Sequence, residues 1–214
     1  MTKQKKTIEI DTNPERDRIL NFVTEKFFKE GFYKISIDSL ASELRVSKKT
    51  FYKYFKTKEH IIELMINNLL NDTSVKIEEV IKSDATSLNK ALKMSEIIGN
   101  VTMKLSENWI NDIRIHMPQM WQKIDEFRAK RAYAVFSNII EIGKKEGNFV
   151  DKPCELIVHL FVNAIRSIVN PQFIYIHKFS IKEAFQDTFE ILFNGILTTK
   201  GRKEFNKIFV KVIK

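Results

Sequence analysis

The chain has 214 residues, of which 43% are hydrophobic and 29% are charged, so we expect a folded protein with a substantial core rather than a disordered one. Only 6 Gly and 4 Pro interrupt the sequence, and the single Cys154 cannot form an internal disulfide, which argues against all-β and disulfide-stabilised architectures. The net charge of +9 suggests a polyanionic partner, and because no stretch is suited to a signal peptide or a membrane span, we expect a cytoplasmic protein with no membrane association.

The first predicted helix follows a polar, Lys-rich segment, which we interpret as a flexible basic arm over residues 1–13. Thr12 and Glu15 have the spacing of a capping box, and Pro14 suits the first turn of a helix. Apolar residues then recur at helical spacing as far as Gly31, which we expect to be the C-cap.

Two short helices separated by a tight turn are predicted next. Ser36 is a natural N-cap for a helix over residues 37–44, and Ser47 for one over residues 48–54, in which Phe51 and Phe55 should point inward. Residues 44–58 contain six basic side chains and no acidic one: Arg45, Lys48, Lys49, Lys53, Lys56 and Lys58. A solvated helix face would explain the charges alone, but their register with the turn favours a DNA-binding helix-turn-helix, which we assign to residues 14–58.

The remaining chain is predicted to be helical to its end. Thr57 can cap a fourth helix to about residue 81, and the apolar pattern predicts further helices at about 87–108, 118–146, 153–169, 180–199 and 202–213. Pro171 is expected to stop the helix that precedes it. Because no Gly-rich phosphate loop, metal-ligand spacing or catalytic triad is visible, we expect no cofactor, no metal site and no enzymatic activity.

Residues 36–60 resemble the signature of TetR-type transcriptional regulators, both in the segment from Ser36 to Ala41 and in that from Val46 to Glu59. Residues 117–121 and 143–149 resemble segments of the regulatory domains of that family. The resemblance implies an all-α fold with an N-terminal three-helix helix-turn-helix DNA-binding domain, joined to a helical ligand-binding and dimerisation domain over residues 59–214. It also implies a homodimer that binds double-stranded DNA and responds to a small-molecule effector.

The resemblance also assigns roles to single residues. It implies that Lys48, Lys49, Thr50 and Tyr52 face the major groove and that Ser36, Ser47, Tyr54 and Lys58 contact phosphates. Two positions depart from the family pattern, which often has a small residue at position 49 and commonly Gly at position 45. Arg45 must therefore either avoid a positive φ or accept its cost.

Candidate ligand-pocket residues lie in the C-terminal part of the chain. Met103, Trp109, Met120, Trp121 and Phe136 could line an apolar cavity, although plain core packing explains each of them as well. His159, Asn163 and Arg166 belong to a polar stripe on an otherwise apolar helix, which fits a pocket wall, a dimer seam or a solvated edge. We expect this stripe to face the interior or the seam.

The leading functional interpretation is a ligand-responsive transcriptional regulator, most simply a repressor. It would dimerise through the helices at 153–169 and 180–199, bind a palindromic operator and be released by its effector. The alternative is a sequence-tolerant helical protein that organises DNA or a protein complex and has no small-molecule effector. A rise in melting temperature with a small ligand would favour the first interpretation, because ligands that bind only the folded state stabilise it.

Overall fold

A computed structural model of the chain describes residues 13–168 and 170–213, and these residues form eleven helices and no strand. The helices are α1 Pro14–Glu30, α2 Ile37–Leu44, α3 Lys48–Tyr54, α4 Lys58–Lys82, α5 Ser87–Met103, α6 Glu107–His116, α7 Pro118–Lys145, α8 Cys154–Ile168, α9 Pro171–His177, α10 Ile181–Ile196 and α11 Thr199–Ile213. The all-α expectation is confirmed. None of the described helices is long and apolar enough to cross a membrane.

The start of α1 differs from the prediction. Asn13 is the N-cap, and its Oδ1 accepts hydrogen bonds from the amides of Glu15 at 3.1 Å and Arg16 at 3.2 Å. Asn is as good a cap as Thr because its side-chain oxygen also reaches the free amides of the first turn. Thr12 and the other residues 1–12 of the predicted arm lie outside the described residues, whereas Asn13, its last residue, caps the helix. The predicted C-cap is confirmed, since Gly31 ends the helix with a φ of 84°.

The caps predicted for the next three helices are confirmed. The hydroxyls of Ser36, Ser47 and Thr57 each accept a hydrogen bond from the amide three residues further along, at 3.1, 2.9 and 3.1 Å. Each cap satisfies an amide that has no partner inside its helix. The boundaries of the helix-turn-helix are therefore set by local sequence.

The predicted helix at 87–108 is wrong in one respect, because it is two helices. α5 ends at Met103, and α6 begins after Ser106, whose hydroxyl accepts a hydrogen bond from the amide of Trp109 at 3.1 Å. The amide of Ser106 donates to the carbonyl of Phe28 in α1 at 2.8 Å. A contact with a distant helix thus holds the break, which the apolar periodicity of the segment does not reveal.

Two further boundaries differ from the prediction. Pro171 begins α9 instead of merely stopping the preceding helix, because a first-turn proline needs no amide donor, and Asn170 caps the new helix. α10 ends at Ile196, three residues before the predicted end, and Leu197 then forms an isolated antiparallel bridge with Phe149.

Two main groups of buried side chains hold the helices together. The N-terminal core joins α1, α2 and α3 to the first half of α4, and it contains the fully buried Phe27, Phe51 and Phe55. The other core joins the second half of α4 to α5, α7, α8 and α10. Trp109 and Ile113 of α6 belong to the N-terminal core, although they lie in the segment predicted to be regulatory. α6 therefore packs directly against the helix-turn-helix.

Candidate nucleic-acid interface and ligand cavity

The outer side of α3 carries exposed basic and aromatic side chains. Phe51 and Phe55 are fully buried with their ring centroids 5.8 Å apart, which fixes the opposite side of the helix toward the exterior. Lys48 and Lys49 are exposed, and Tyr52 keeps 45% of its surface accessible. Thr50 is half-buried, and its hydroxyl lies 2.8 Å from that of Ser47. Of the predicted groove-facing residues, Lys48, Lys49 and Tyr52 thus share the outer side of a short helix.

The turn before α3 contains a residue whose backbone has the left-handed conformation. Arg45 has a φ of 56° and a ψ of 39°, so it bears the cost of a conformation that commonly favours Gly. The turn is closed by backbone hydrogen bonds from Arg45 to the carbonyl of Ser42 at 3.1 Å and from Val46 to that of Ala41 at 3.0 Å. The Arg45 side chain remains exposed beside α3 and adds to its positive charge.

One lysine of α3 is paired within the protein. The ammonium of Lys48 lies 2.7 Å from the carboxylate of Asp38 in α2, and this hydrogen bond raises the pKa of the lysine. Both side chains are more than half exposed, at 58% and 65%, so the pair contributes little to stability and can open at small cost.

Three of the predicted phosphate-contacting residues also have structural roles. Ser36 and Ser47 cap α2 and α3, as described above. The hydroxyl of Tyr54 donates to the carboxylate of Glu15 at 2.7 Å and accepts from Lys53 at 3.2 Å, which ties α3 to the first turn of α1. An N-cap hydroxyl and the amides of the following turn still point outward, where an anion is favoured.

Lys58 differs from the other predicted contacts because its charged end is bound to backbone carbonyls of the protein. Its ammonium donates to the carbonyls of Ile35 at 2.6 Å and Tyr33 at 3.4 Å, and it lies 5.7 Å from the ring centroid of Phe27. Burial lowers the pKa of Lys58, while Glu59 and Asp112 raise it. The side chain thus anchors the loop between α1 and α2, whatever contact it makes with DNA.

A carboxylate of α6 clamps the same loop from the other side. Asp112 Oδ2 accepts hydrogen bonds from the amides of Phe32 at 2.6 Å and Tyr33 at 2.8 Å. Gly31 permits this approach, because a Cβ at that position would lie 2.6 Å from the same oxygen. The ring of Tyr33 also stacks on His116 with their centroids 3.8 Å apart.

α6 separates this loop from a cavity of about 180 Å³. α4, α5, α6, α7, α8 and the start of α10 form its walls, and most of the side chains that line it are aliphatic or aromatic. Trp109 belongs both to the cavity wall and to the N-terminal core, where its ring lies 4.9 Å from that of Phe28. One helix therefore contacts the cavity on one side and the DNA-binding domain on the other.

The predicted pocket residues divide into two groups. Trp109, Trp121, Phe136 and Arg166 line the cavity. The other four, all among the described residues, lie outside its lining: Met103, Met120, His159 and Asn163. Met103 is 53% exposed at the end of α5, and Met120 packs against the N-terminal core. Helical periodicity groups side chains by face but does not identify which face borders an empty space.

The polar stripe of α8 is divided in the same way. Arg166 borders the cavity and forms an ion pair with Asp125 of α7, although its side chain is exposed. His159 is exposed, and its Nδ1 lies 2.6 Å from the hydroxyl of Tyr133, while the amide of exposed Asn163 donates to the carbonyl of His159. A place for these two residues in a dimer seam stays a prediction.

Sequence reasoning missed Asp112 and Arg128. The partners of Asp112 are the amides of two residues about eighty positions earlier in the chain, and no local pattern signals such a contact. Arg128 lines the cavity from α7, where a charged residue on a long helix is more often solvated. Its only sequence signal is Asp125, which lies one turn earlier on the same helix face.

Comparison with known proteins agrees with this arrangement. Residues 23–65 match the family described as bacterial regulatory proteins, tetR family. The chain is 21% identical over 174 residues to YvaF of Bacillus subtilis strain 168, described as an uncharacterized HTH-type transcriptional regulator, and the match covers 81% of this chain and 91% of that protein.

Solved structures share the fold at low sequence identity. A TetR-family transcriptional regulator from Marinobacter aquaeolei VT8 is 18% identical, with a TM-score of 0.71 over 92% of this chain and 97% of the other. A putative transcriptional regulator from Saccharomonospora viridis, solved in complex with choline, is 15% identical, with a TM-score of 0.63 over 86% and 98% of the two chains.

Proposed function

Because the chain is a TetR-type transcriptional regulator, we propose that it is a repressor that binds a palindromic operator as a homodimer and leaves it when a small molecule fills the cavity. The observation that carries this proposal is the position of α6, which forms part of the cavity wall and also holds the loop between α1 and α2. A regulator needs such a connection between its ligand and its DNA-binding surface.

The proposed DNA contacts are divided between bases and phosphates. Lys48, Lys49, Thr50 and Tyr52 would read the major groove, since they lie at the start of the recognition helix and mostly face outward. Ser36, Ser47, Tyr54 and Lys58 would contact phosphates and set the orientation of the helix. To bind DNA, Lys48 would give up its ion pair with Asp38. Because both side chains are exposed, breaking that pair costs little free energy.

The proposed route of regulation passes through α6. Trp109 and Ile113 line the cavity and pack in the N-terminal core, so a ligand that displaces them also shifts the packing of Phe28. Asp112 would transmit the same displacement to the loop through its two amide hydrogen bonds. Because packed interfaces adopt discrete arrangements, a small shift of α6 can change the orientation of the whole helix-turn-helix.

The proposed dimer seam lies on α8 and α10, as the sequence predicts. Both helices bury one face in the C-terminal core and leave apolar side chains on the other. Leu156 is 52% exposed, Leu160 is 54% exposed and Ile191 is 72% exposed. A second copy that covers them would form a four-helix seam and remove this apolar surface from water.

Binding-site selection from random DNA tests the proposal. We expect a palindromic consensus whose half-sites are about one helical turn apart, because two symmetric recognition helices enter successive major grooves. A population without a consensus, bound with strong salt dependence, would instead support the alternative of a sequence-tolerant DNA-organising protein. If no small molecule raised the melting temperature or released the selected DNA, the effector part of the proposal would fail.

A further inference from the structure

In the part of the chain that the structure describes, the ionisable side chains that line the cavity are all positively charged. They are Arg128 and Arg131 of α7 and Arg166 of α8, and the rest of the wall is mainly apolar. We propose that the cavity selects an amphipathic anion, a compact apolar molecule with one carboxylate that pairs with Arg128. This inference rests on the proposed role of the cavity as the effector site and names the chemical class of the effector.

The three arginines differ in their partners. Arg166 forms an ion pair with Asp125, and Arg131 lies 3.8 Å from the carboxylate of Glu78 in α4. Among the described residues, Arg128 makes neither a hydrogen bond nor an ion pair with another side chain. The cavity therefore contains one guanidinium whose five donors are available to a ligand.

The charges around Arg128 favour an anionic ligand. Arg128 borders the cavity, and its side chain as a whole is exposed. Burial lowers the pKa of Arg128, and the positive charge of Arg166 lowers it further, whereas Asp125 raises it. An arginine nevertheless stays protonated in proteins, and the carboxylates of Asp125 and Glu78 already pair with Arg166 and Arg131.

A carboxylate matches the unpaired guanidinium of Arg128 in charge and in shape. Two parallel hydrogen bonds can form between a guanidinium and a carboxylate, and they are stronger in an apolar cavity than in water. One bound carboxylate would supply the single negative charge that Arg128 lacks. A choline-like cation, as in the distant relative from Saccharomonospora viridis, would instead meet three arginines.

The volume of the cavity limits the apolar part of the ligand. Its 180 Å³ is slightly more than the roughly 150 Å³ of an apolar protein cavity that accommodates benzene. Side chains such as Ile98, Phe136 and Val162 would contact an aliphatic chain or a single ring. The class of ligand is therefore a monocarboxylate with a medium-length chain or one aromatic ring.

Octanoate and benzoate are the probes for this site, and octanol and octylamine are the neutral and cationic controls. We expect calorimetric titration of the full chain to show octanoate or benzoate binding, with octanoate at least tenfold tighter than octanol and no binding of octylamine. Equal affinity for octanoate and octanol, or failure of both carboxylates to bind, would overturn the proposal. A preference for octyl phosphate over octanoate would overturn the carboxylate assignment.

Two variants test which arginine binds the carboxylate of the ligand. R128M keeps an unbranched apolar side chain and removes the guanidinium and its charge, so it should weaken octanoate binding at least tenfold and leave octanol binding unchanged. R131M removes another cavity-lining charge that already has a partner, and it should change octanoate affinity less than threefold. Without ligand, the Tm of R128M should equal or exceed that of the wild type. A clearly lower Tm would mean that Arg128 is needed for folding and would overturn its assignment as a ligand group.

Release of the selected operator distinguishes the two proposals. If octanoate binds through Arg128 but leaves the protein on DNA, the chemistry of the cavity is as proposed and its effector role is not. If a neutral or cationic ligand releases the DNA and carboxylates do not, the effector role stands and anion selection is refuted. Release by octanoate in the wild type but not in R128M would support both.

Discussion

Replacement of Asp112 by Ala should loosen the loop between α1 and α2 without opening either core. Asp112 is half-buried on α6, and its Oδ2 is the acceptor for the amides of Phe32 at 2.6 Å and Tyr33 at 2.8 Å. The substitution removes this acceptor and leaves both amides without it. The apolar contact between Trp109 and Phe28 remains, so α6 should stay in place.

The size of the effect follows from the exposure of the two amides. The hydrogen bond from Phe32 is part-buried, so loss of its charged acceptor should cost about 1.5–3 kcal/mol. The hydrogen bond from Tyr33 is exposed, and water can replace the carboxylate there at a cost of at most about 1 kcal/mol. We therefore expect Asp112→Ala to lower the free energy of unfolding by about 2–4 kcal/mol. Asp112→Asn keeps a carbonyl acceptor and should lose about half as much.

Urea denaturation and amide hydrogen exchange measure these effects. The amides of Phe32 and Tyr33 should exchange faster in Asp112→Ala, and the midpoint of unfolding should fall with no change in m. Glu107→Ala is the matched control, because Glu107 is exposed on the same helix and, among the described residues, makes no hydrogen bond or ion pair through its side chain. If Asp112→Ala keeps the stability and the amide exchange rates of the wild type, Asp112 does not hold the loop between α1 and α2.

Three further substitutions test the DNA surface and the caps. Tyr52→Ala should weaken operator binding by about 1–3 kcal/mol with an unchanged Tm, since its side chain is exposed and outside the core. Lys58→Met should lower the free energy of unfolding by about 1–3 kcal/mol, because it removes the donor to the carbonyl of Ile35. Glu183→Ala should lower the Tm at neutral pH, because the hydrogen bond that its carboxylate accepts from the amide of Ser180 holds the pKa of Glu183 below its ordinary value of 4.5. The stabilisation from that low pKa is present above about pH 4.5 and is lost as the pH falls through the folded-state pKa, so the difference from the wild type should shrink there.

Each of these predictions has a result that contradicts it. A lower Tm of Tyr52→Ala would show that Tyr52 stabilises the fold. If Lys58→Met keeps the stability of the wild type, Lys58 does not stabilise the loop. If the slope of the logarithm of the DNA-binding constant against the logarithm of the salt concentration becomes shallower by about one unit, the result supports a phosphate contact of Lys58. A Tm difference for Glu183→Ala that stays constant down to about pH 3 would show that the charge of the carboxylate does not stabilise the helix cap.

Much of the helix-turn-helix could be predicted because its signals are local. An N-cap hydroxyl bonds an amide three residues away, so Ser36, Ser47 and Thr57 mark their helices wherever the chain goes next. The spacing of Phe51 and Phe55 likewise determines which side of α3 is buried. Once that side is known, the exposure of Lys49 and Tyr52 follows from the geometry of the helix.

The sequence by itself thus determined the all-α class, the start of α2, α3 and α4, and the basic surface of the recognition helix. Only the tertiary structure decided that α5 ends at Met103, that Asp112 holds the loop after α1, and that Arg128 lines a cavity. The break before α6 depends on the carbonyl of Phe28, and the environment of Arg128 depends on walls supplied by several other helices. Periodicity and capping report interactions within a few residues, whereas these features arise from groups far apart in the chain that only packing brings together.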